Sequence, residues 1–71
     1  MKLRYSIQIT YDDSGRVVIT LPAFPDIRAE AFTKEQAIQF ARTIVKARLQ
    51  RLRADGRSFP ESDAEALEIE I

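Results

Sequence analysis

One stretch of this chain dictates what the rest must do. From Thr33 onward, Ala37, Ile38, Ala41, Ile44, Val45, Leu49 and Leu52 recur at helical spacing, and no other segment does so. The pattern predicts a helix of about 20 residues, roughly 30 Å long, with one apolar stripe to cover. With no second helix to pack against, the opposing layer has to be built from strands. The helix start is sharp: Thr33 stands at N-cap with Gln36 at N3, the arrangement in which each satisfies an orphan donor. Its end lies near Ala54, where Gly56 suits a left-handed residue and Pro60 blocks continuation.

The strands are read from alternation. Leu3, Tyr5, Ile7, Ile9 and Tyr11 alternate with Arg4, Ser6, Gln8 and Thr10, which predicts one strand over 3–11 with a single buried face. Asp12-Asp13-Ser14-Gly15 carries the residues of a tight turn, and a second strand over 16–21 turns Val17, Ile19 and Leu21 to one side. Proline cannot donate to a ladder, so Pro22 and Pro25 end that strand and set an extended connection, with Phe24 between them plugging one end of the core. Ile27, Ala29 and Ala31 alternate with Arg28 and Glu30 in a short third strand, at an edge whose charges resist casual pairing. Phe32, just before the N-cap, is expected to staple onto Ala37 in the first helical turn. The tail, Leu67-Glu68-Ile69-Glu70-Ile71, alternates again as a fourth strand, parallel to the first through a right-handed crossover. The expected fold is α+β: one domain over residues 1–71, β-β-β-α-β, a mostly antiparallel four-stranded sheet of order 3-2-1-4 with one helix on one face. Arg4, Ser6, Gln8 and Thr10 would line the wet opposite face.

Composition limits the chemistry. There is no Cys and no His, which removes disulfides, the common zinc sites, the usual hydrolytic triads and the commonest general base. Gly15 and Gly56 are the only glycines, so no phosphate-cradling loop is present. A two-metal nuclease needs a carboxylate mid-way along the first strand, where Ile7, Gln8 and Ile9 stand. The expectation is a protein that is not an enzyme and carries no cofactor and no metal. No apolar run approaches the roughly 20 residues that span a bilayer, and the N-terminus lacks a signal-peptide h-region, so a soluble cytoplasmic protein is expected.

Net charge is zero but unevenly spread. Arg42, Lys46, Arg48, Arg51, Arg53 and Arg57 face only Asp55, whereas Glu61, Asp63, Glu65, Glu68 and Glu70 form an acidic tail. Cations near a helix C-terminus complement its dipole, and the tail is expected to neutralise them, so direct nucleic-acid binding is not expected. Two residues break the helix stripe. Arg48 falls near the centre of the apolar arc, either snorkelling past the sheet's end or meeting a partner chain. Phe40, with Thr43, Ala47 and Arg51, forms a second, weakly apolar strip, read as a wide buried face or as a partner contact. A chain of 71 residues buries only about 60% of its unfolded surface, which points to a homo-oligomer.

In order and spacing, the pattern resembles the N-terminal domain of HicB-type antitoxins. The resemblance runs from about Tyr5 to Glu61: an acidic turn with glycine (Asp12, Asp13, Gly15), a Pro-x-x-Pro element (Pro22, Phe24, Pro25), a Thr-x-x-Gln-Ala helix start (Thr33, Glu35, Gln36, Ala37), then Gly56 followed by Pro60-Glu61. The family's Gly-Cys after the second proline is Asp26-Ile27 here, and its Gly-Asp before the threonine is Ala31-Phe32. The resemblance implies a degenerate ribonuclease H-like fold and a module that neutralises a small, HicA-like, mRNA-cleaving toxin by covering its active surface. The family's usual C-terminal DNA-binding segment is expected to be lacking. The competing class is a stand-alone homo-oligomeric structural or regulatory protein without a toxin; a small-ligand sensor is a third. For any partner or oligomer contact, the expected residues are Phe24, Ile27, Ala29, Phe40 and Arg48, with the third strand as a strand-accepting edge.

Overall fold

A computed structural model describes residues 2–60 and 67–70. The elements are β1 (Lys2–Tyr5), β2 (Gln8–Tyr11), β3 (Val17–Leu21), β4 (Phe24–Ala31), α1 (Lys34–Ala54) and β5 (Leu67–Glu70). The fold is α+β, with one helix and five strands in two antiparallel sheets, β2-β3-β4 and β1-β5. The expected four-stranded sheet of order 3-2-1-4 is therefore corrected in two places.

The first correction is the break in the leading strand. Gln8 to Tyr11 pair with Thr20 to Val17, but Ser6 and Ile7 belong to no ladder. Backbone groups need partners, and β3 supplies none beyond Leu21, because the chain turns there at Pro22. Residues 2–5 accordingly pair elsewhere, with β5, in the register Lys2↔Glu70 to Tyr5↔Leu67. The second correction is the direction of β5, which is antiparallel to β1. Handedness rules govern a parallel return, but Pro60, shortly after the helix, accepts from the Tyr5 hydroxyl and Leu67 pairs with Tyr5, so β5 enters the ladder at the Tyr5 end of β1 and runs back along it. Ile71, the last residue of the expected fourth strand, lies outside the described residues.

The β2–β3 hairpin forms as the sequence predicts. Asp12 organises its turn: its backbone accepts from Gly15 N at 3.0 Å and donates to the Arg16 carbonyl at 3.0 Å. Gly15 sits at φ +84°, a conformation that L side chains rarely adopt. The two prolines take different jobs. Leu21 and Phe24 are cross-strand partners, so Pro22-Ala23 is a two-residue connection, whereas Thr20 pairs with Arg28 and leaves Pro25, Asp26 and Ile27 as a bulge. A bulge on an edge strand tolerates Pro25, whose missing N–H would cost a ladder bond elsewhere.

Thr33 caps α1, its hydroxyl accepting from Gln36 N at 3.2 Å. At the other end Arg57 N donates to Leu52 O at 2.8 Å and Gly56 N to Arg53 O at 3.1 Å, a Schellman closure with Gly56 at φ +71°. Ala37, Ala41, Val45 and Leu49 are buried along one stripe, and α1 packs on β3, β4 and β5, joining the two sheets in one core. Tyr5, Ile19, Leu21, Leu67 and Ile69 are fully enclosed there. The outward face is wet as predicted at Gln8 and Thr10, but not at Val18, which is buried between its cross-strand neighbours Thr10 and Glu30.

Candidate functional site

The residues expected to meet a partner fall into two groups. Phe24, Ile27 and Ala29 are core residues, 4%, 3% and 2% exposed. Phe24 does plug one end of the core, edge-on to Tyr5 with ring centroids 5.3 Å apart. What β4 leaves open is its backbone edge: among the described residues it pairs with β3 alone. Phe40 and Arg48 are on the surface of α1.

Arg48 neither faces empty solvent nor crosses the core. It reaches the β4 bulge, its Nη1 and Nη2 donating to Asp26 Oδ1 and Oδ2 at 3.3 and 2.5 Å, while its guanidinium carbon lies 6.0 Å from the Phe24 ring centroid. The hydrogen bonds from Arg48 hold the Asp26 carboxyl below its ordinary range and raise the Arg48 guanidinium further. Arg48 thus lids the Tyr5–Phe24 end of the core.

Phe40 is 52% exposed and Ile44 40%, so their strip, with Thr43, Ala47 and Arg51 also exposed, is not the wide buried face that one reading allowed. It lies on the β4 side of the helix, since Arg48 meets the β4 bulge there, whereas Arg42 on the opposite flank donates to the Glu68 carbonyl of β5 at 3.2 Å.

Two functional candidates escaped the sequence reading. Phe32 does not staple onto the first turn; it is 79% exposed, with the Arg16 guanidinium 5.8 Å from its ring centroid. Tyr11 is 70% exposed although it alternates correctly. Its partner in the ladder is Val17, which is paired in turn with Ala31, so Tyr11 faces the helix side of the sheet, but α1 covers β3 and β4 instead of β2. The register puts Tyr11, Arg16 and Phe32 at one end of the sheet. A groove of about 400 Å³ runs from Arg16, Glu30 and Phe32 to Gln36 and Phe40 on the helix. The signal that separates them from core aromatics is position: Tyr11 is the last residue of its strand before the turn, and Phe32 directly precedes the helix cap.

Local electrostatics are spent mostly on structure. Asp12 Oδ1 accepts from Arg16 N at 2.8 Å, Ser14 Oγ at 2.8 Å and Ser14 N at 3.0 Å, and these bonds, the Arg16 one foremost, lower its carboxyl pKa. The acidic tail is traced only at its described part: Glu68 meets Lys2 at 3.5 Å and Arg4 at 3.9 Å, on β1 and not on the helix. Glu61, Asp63 and Glu65 lie outside the described residues. Among the described residues no three carboxylates converge as a metal site would require, and no helix is long and apolar enough to cross a membrane.

No family model matches this chain. No solved structure matches it at a significant level. Among curated proteins it is similar to the UPF0150 protein Ta0767 of Thermoplasma acidophilum, 25% identical over 67 residues that cover 94% of this chain and 97% of that protein. The similarity therefore spans nearly the whole of both chains.

Proposed function

We propose that this chain is a non-catalytic, HicB-like antitoxin module of the cytoplasm that binds a small, HicA-like, mRNA-cleaving toxin and covers its active surface. The observation that carries the reading is the aromatic end of the sheet: Tyr11 and Phe32 stand out of the core beside Arg16, the residue types that anchor protein interfaces. Further support comes from the order of the Asp12–Gly15 turn, the Pro22–Pro25 element and the Thr33 cap, and from the relative, whose UPF0150 family is a small HicB-like one. Asp13 in the exposed turn next to Tyr11 adds negative charge suited to a basic RNA-cleaving protein.

The test is to mix the purified chain with a HicA-type toxin from the same genome and measure the mass of the complex by light scattering. A stoichiometric complex with the natural chain, lost with Phe32→Glu while the fold is kept, supports the reading; no complex at micromolar concentrations refutes it. The second reading, a homo-oligomer with no toxin, is favoured by the open β4 edge and predicts self-association alone.

A further inference from the structure

We infer that the β4 edge and the Phe40 strip of α1 form one two-fold surface that receives a second copy of this chain, its two β4 strands pairing antiparallel about Ala29. This surface adjoins the Tyr11–Arg16–Phe32 end through the groove and the Arg16–Glu30 ion pair, but the inference does not depend on a toxin. It rests first on charge complementarity. Arg28 and Glu30 already pair with each other within the chain at 2.8 Å, with Arg16 3.7 Å from Glu30. Antiparallel pairing centred on Ala29 sets this couple head to tail against its copy, Arg28 opposite Glu30 of the partner and Glu30 opposite Arg28 of the partner, so that charges alternate around the axis on the outward face. Shifting the register by one residue, which moves the centre by half a residue, would flip one copy and put the helices on opposite faces. A shift of two sets Glu30 against Glu30 in one direction and, in the other, Arg28 against Arg28 with Glu30 against Asp26. Only the register about Ala29 matches opposite charges across the axis.

The helix supplies the second, independent match. Read about a point between Thr43 and Ile44, the exposed strip is self-complementary in size: Phe40 falls opposite Ala47, Ile44 opposite Thr43, and Gln36 opposite Arg51. That is a bulky ring against a methyl group, the large-to-small fit an isologous contact needs. Both matches share one axis. The β4 bulge at Asp26 meets Arg48, and the groove sets Glu30 and Ala31 against Gln36 and Phe40, so Ala29 lies alongside the middle of that strip. Because α1 sits over β4 and β3, pairing at this edge lays the two helices side by side, at roughly the 8–10 Å at which helices pack. Ile27, Ala29 and Ala31 are already sealed under α1, so the strand offers its backbone and the helix its side chains.

The experiment is sedimentation equilibrium of the full chain and three variants, with far-UV circular dichroism as the check on folding. The natural chain is expected at twice its 8.1 kDa mass. Glu30→Arg sets like charges opposite each other twice and is expected to raise the dimer dissociation constant roughly tenfold or more. The exchange Arg28→Glu with Glu30→Arg restores both pairs and the dimer. Phe40→Glu, at a half-exposed site that leaves the fold intact, weakens the dimer on its own. A monomeric natural chain at high micromolar concentration overturns the inference, as does a dimer indifferent to both Glu30→Arg and Phe40→Glu, or an exchange variant no tighter than Glu30→Arg.

Discussion

Replacing Tyr5 with Phe removes a hydrogen bond that closes the fold. Tyr5 is completely enclosed, and its hydroxyl donates to the Pro60 carbonyl at 3.0 Å, joining β1 to the segment that follows the helix. Phe keeps the ring, its edge-on contact with Phe24 and almost all of the buried apolar area. What it removes is the donor, leaving the part-buried Pro60 carbonyl short of a partner. The net loss for such a bond is about 0.5–1.5 kcal/mol. In a domain this small each kcal/mol moves the melting point by about 4–8 °C. Tyr5→Ala also removes the ring, at about 3–5 kcal/mol, a large share of the ~5 kcal/mol at the low end of domain stability. The assay is urea unfolding of the natural chain, Tyr5→Phe and Tyr5→Ala at one fixed protein concentration, since self-association would make stability depend on it. The midpoints should fall in that order, with the slope unchanged for Tyr5→Phe. A Tyr5→Phe variant as stable as the natural chain would refute the reasoning, because the hydroxyl would then contribute nothing net.

Thr33→Ala leaves the Gln36 N–H without its capping acceptor and should cost about 1 kcal/mol by the same assay, whereas Thr33→Ser should cost much less. Gly15→Ala should cost about 1–2 kcal/mol through backbone alone, since φ is +84° but an added Cβ meets nothing within 4 Å; Gly15→Asn should cost less. Asp26 has a folded pKa below its ordinary 3.8, so its contribution is present above that value and is lost as pH falls through the folded pKa. Acid unfolding should therefore flatten in Asp26→Asn, while the same residual slope from Asp12, which is shifted the same way, remains.

Local signals carried most of the elements because their causes are local. The Thr33 cap, the Gly56 closure and the Asp12–Gly15 turn each depend on residues within a few positions of one another; the closure and the turn form as expected, and the cap forms through the Thr33 hydroxyl. Period-two alternation placed Val17, Ile19, Leu21, Ala29 and Ala31 in the core, but alternation does not say where a strand stops. The break at Ser6-Ile7 is imposed by the length of β3, and the direction of β5 by the meeting of Pro60 and Leu67 with Tyr5, both non-local facts. Alternation likewise marks Tyr11 as inward-facing, which it is; only the footprint of α1 decides that nothing covers it. Phe40 was legible as an off-stripe residue, and its exposure rules out the wide buried face. Phe24, Ile27 and Ala29 read as contact residues because they flank an edge, yet an edge is a property of backbone and their side chains point into the core.

The central claim, that this chain works by docking onto an RNA-cleaving toxin, is tested most directly by the toxin's own activity. RNA cleavage by a HicA-type toxin from the same genome should fall to background as the chain reaches one equivalent, and Phe32→Glu should restore it. Undiminished cleavage in a molar excess of the folded natural chain would contradict the account.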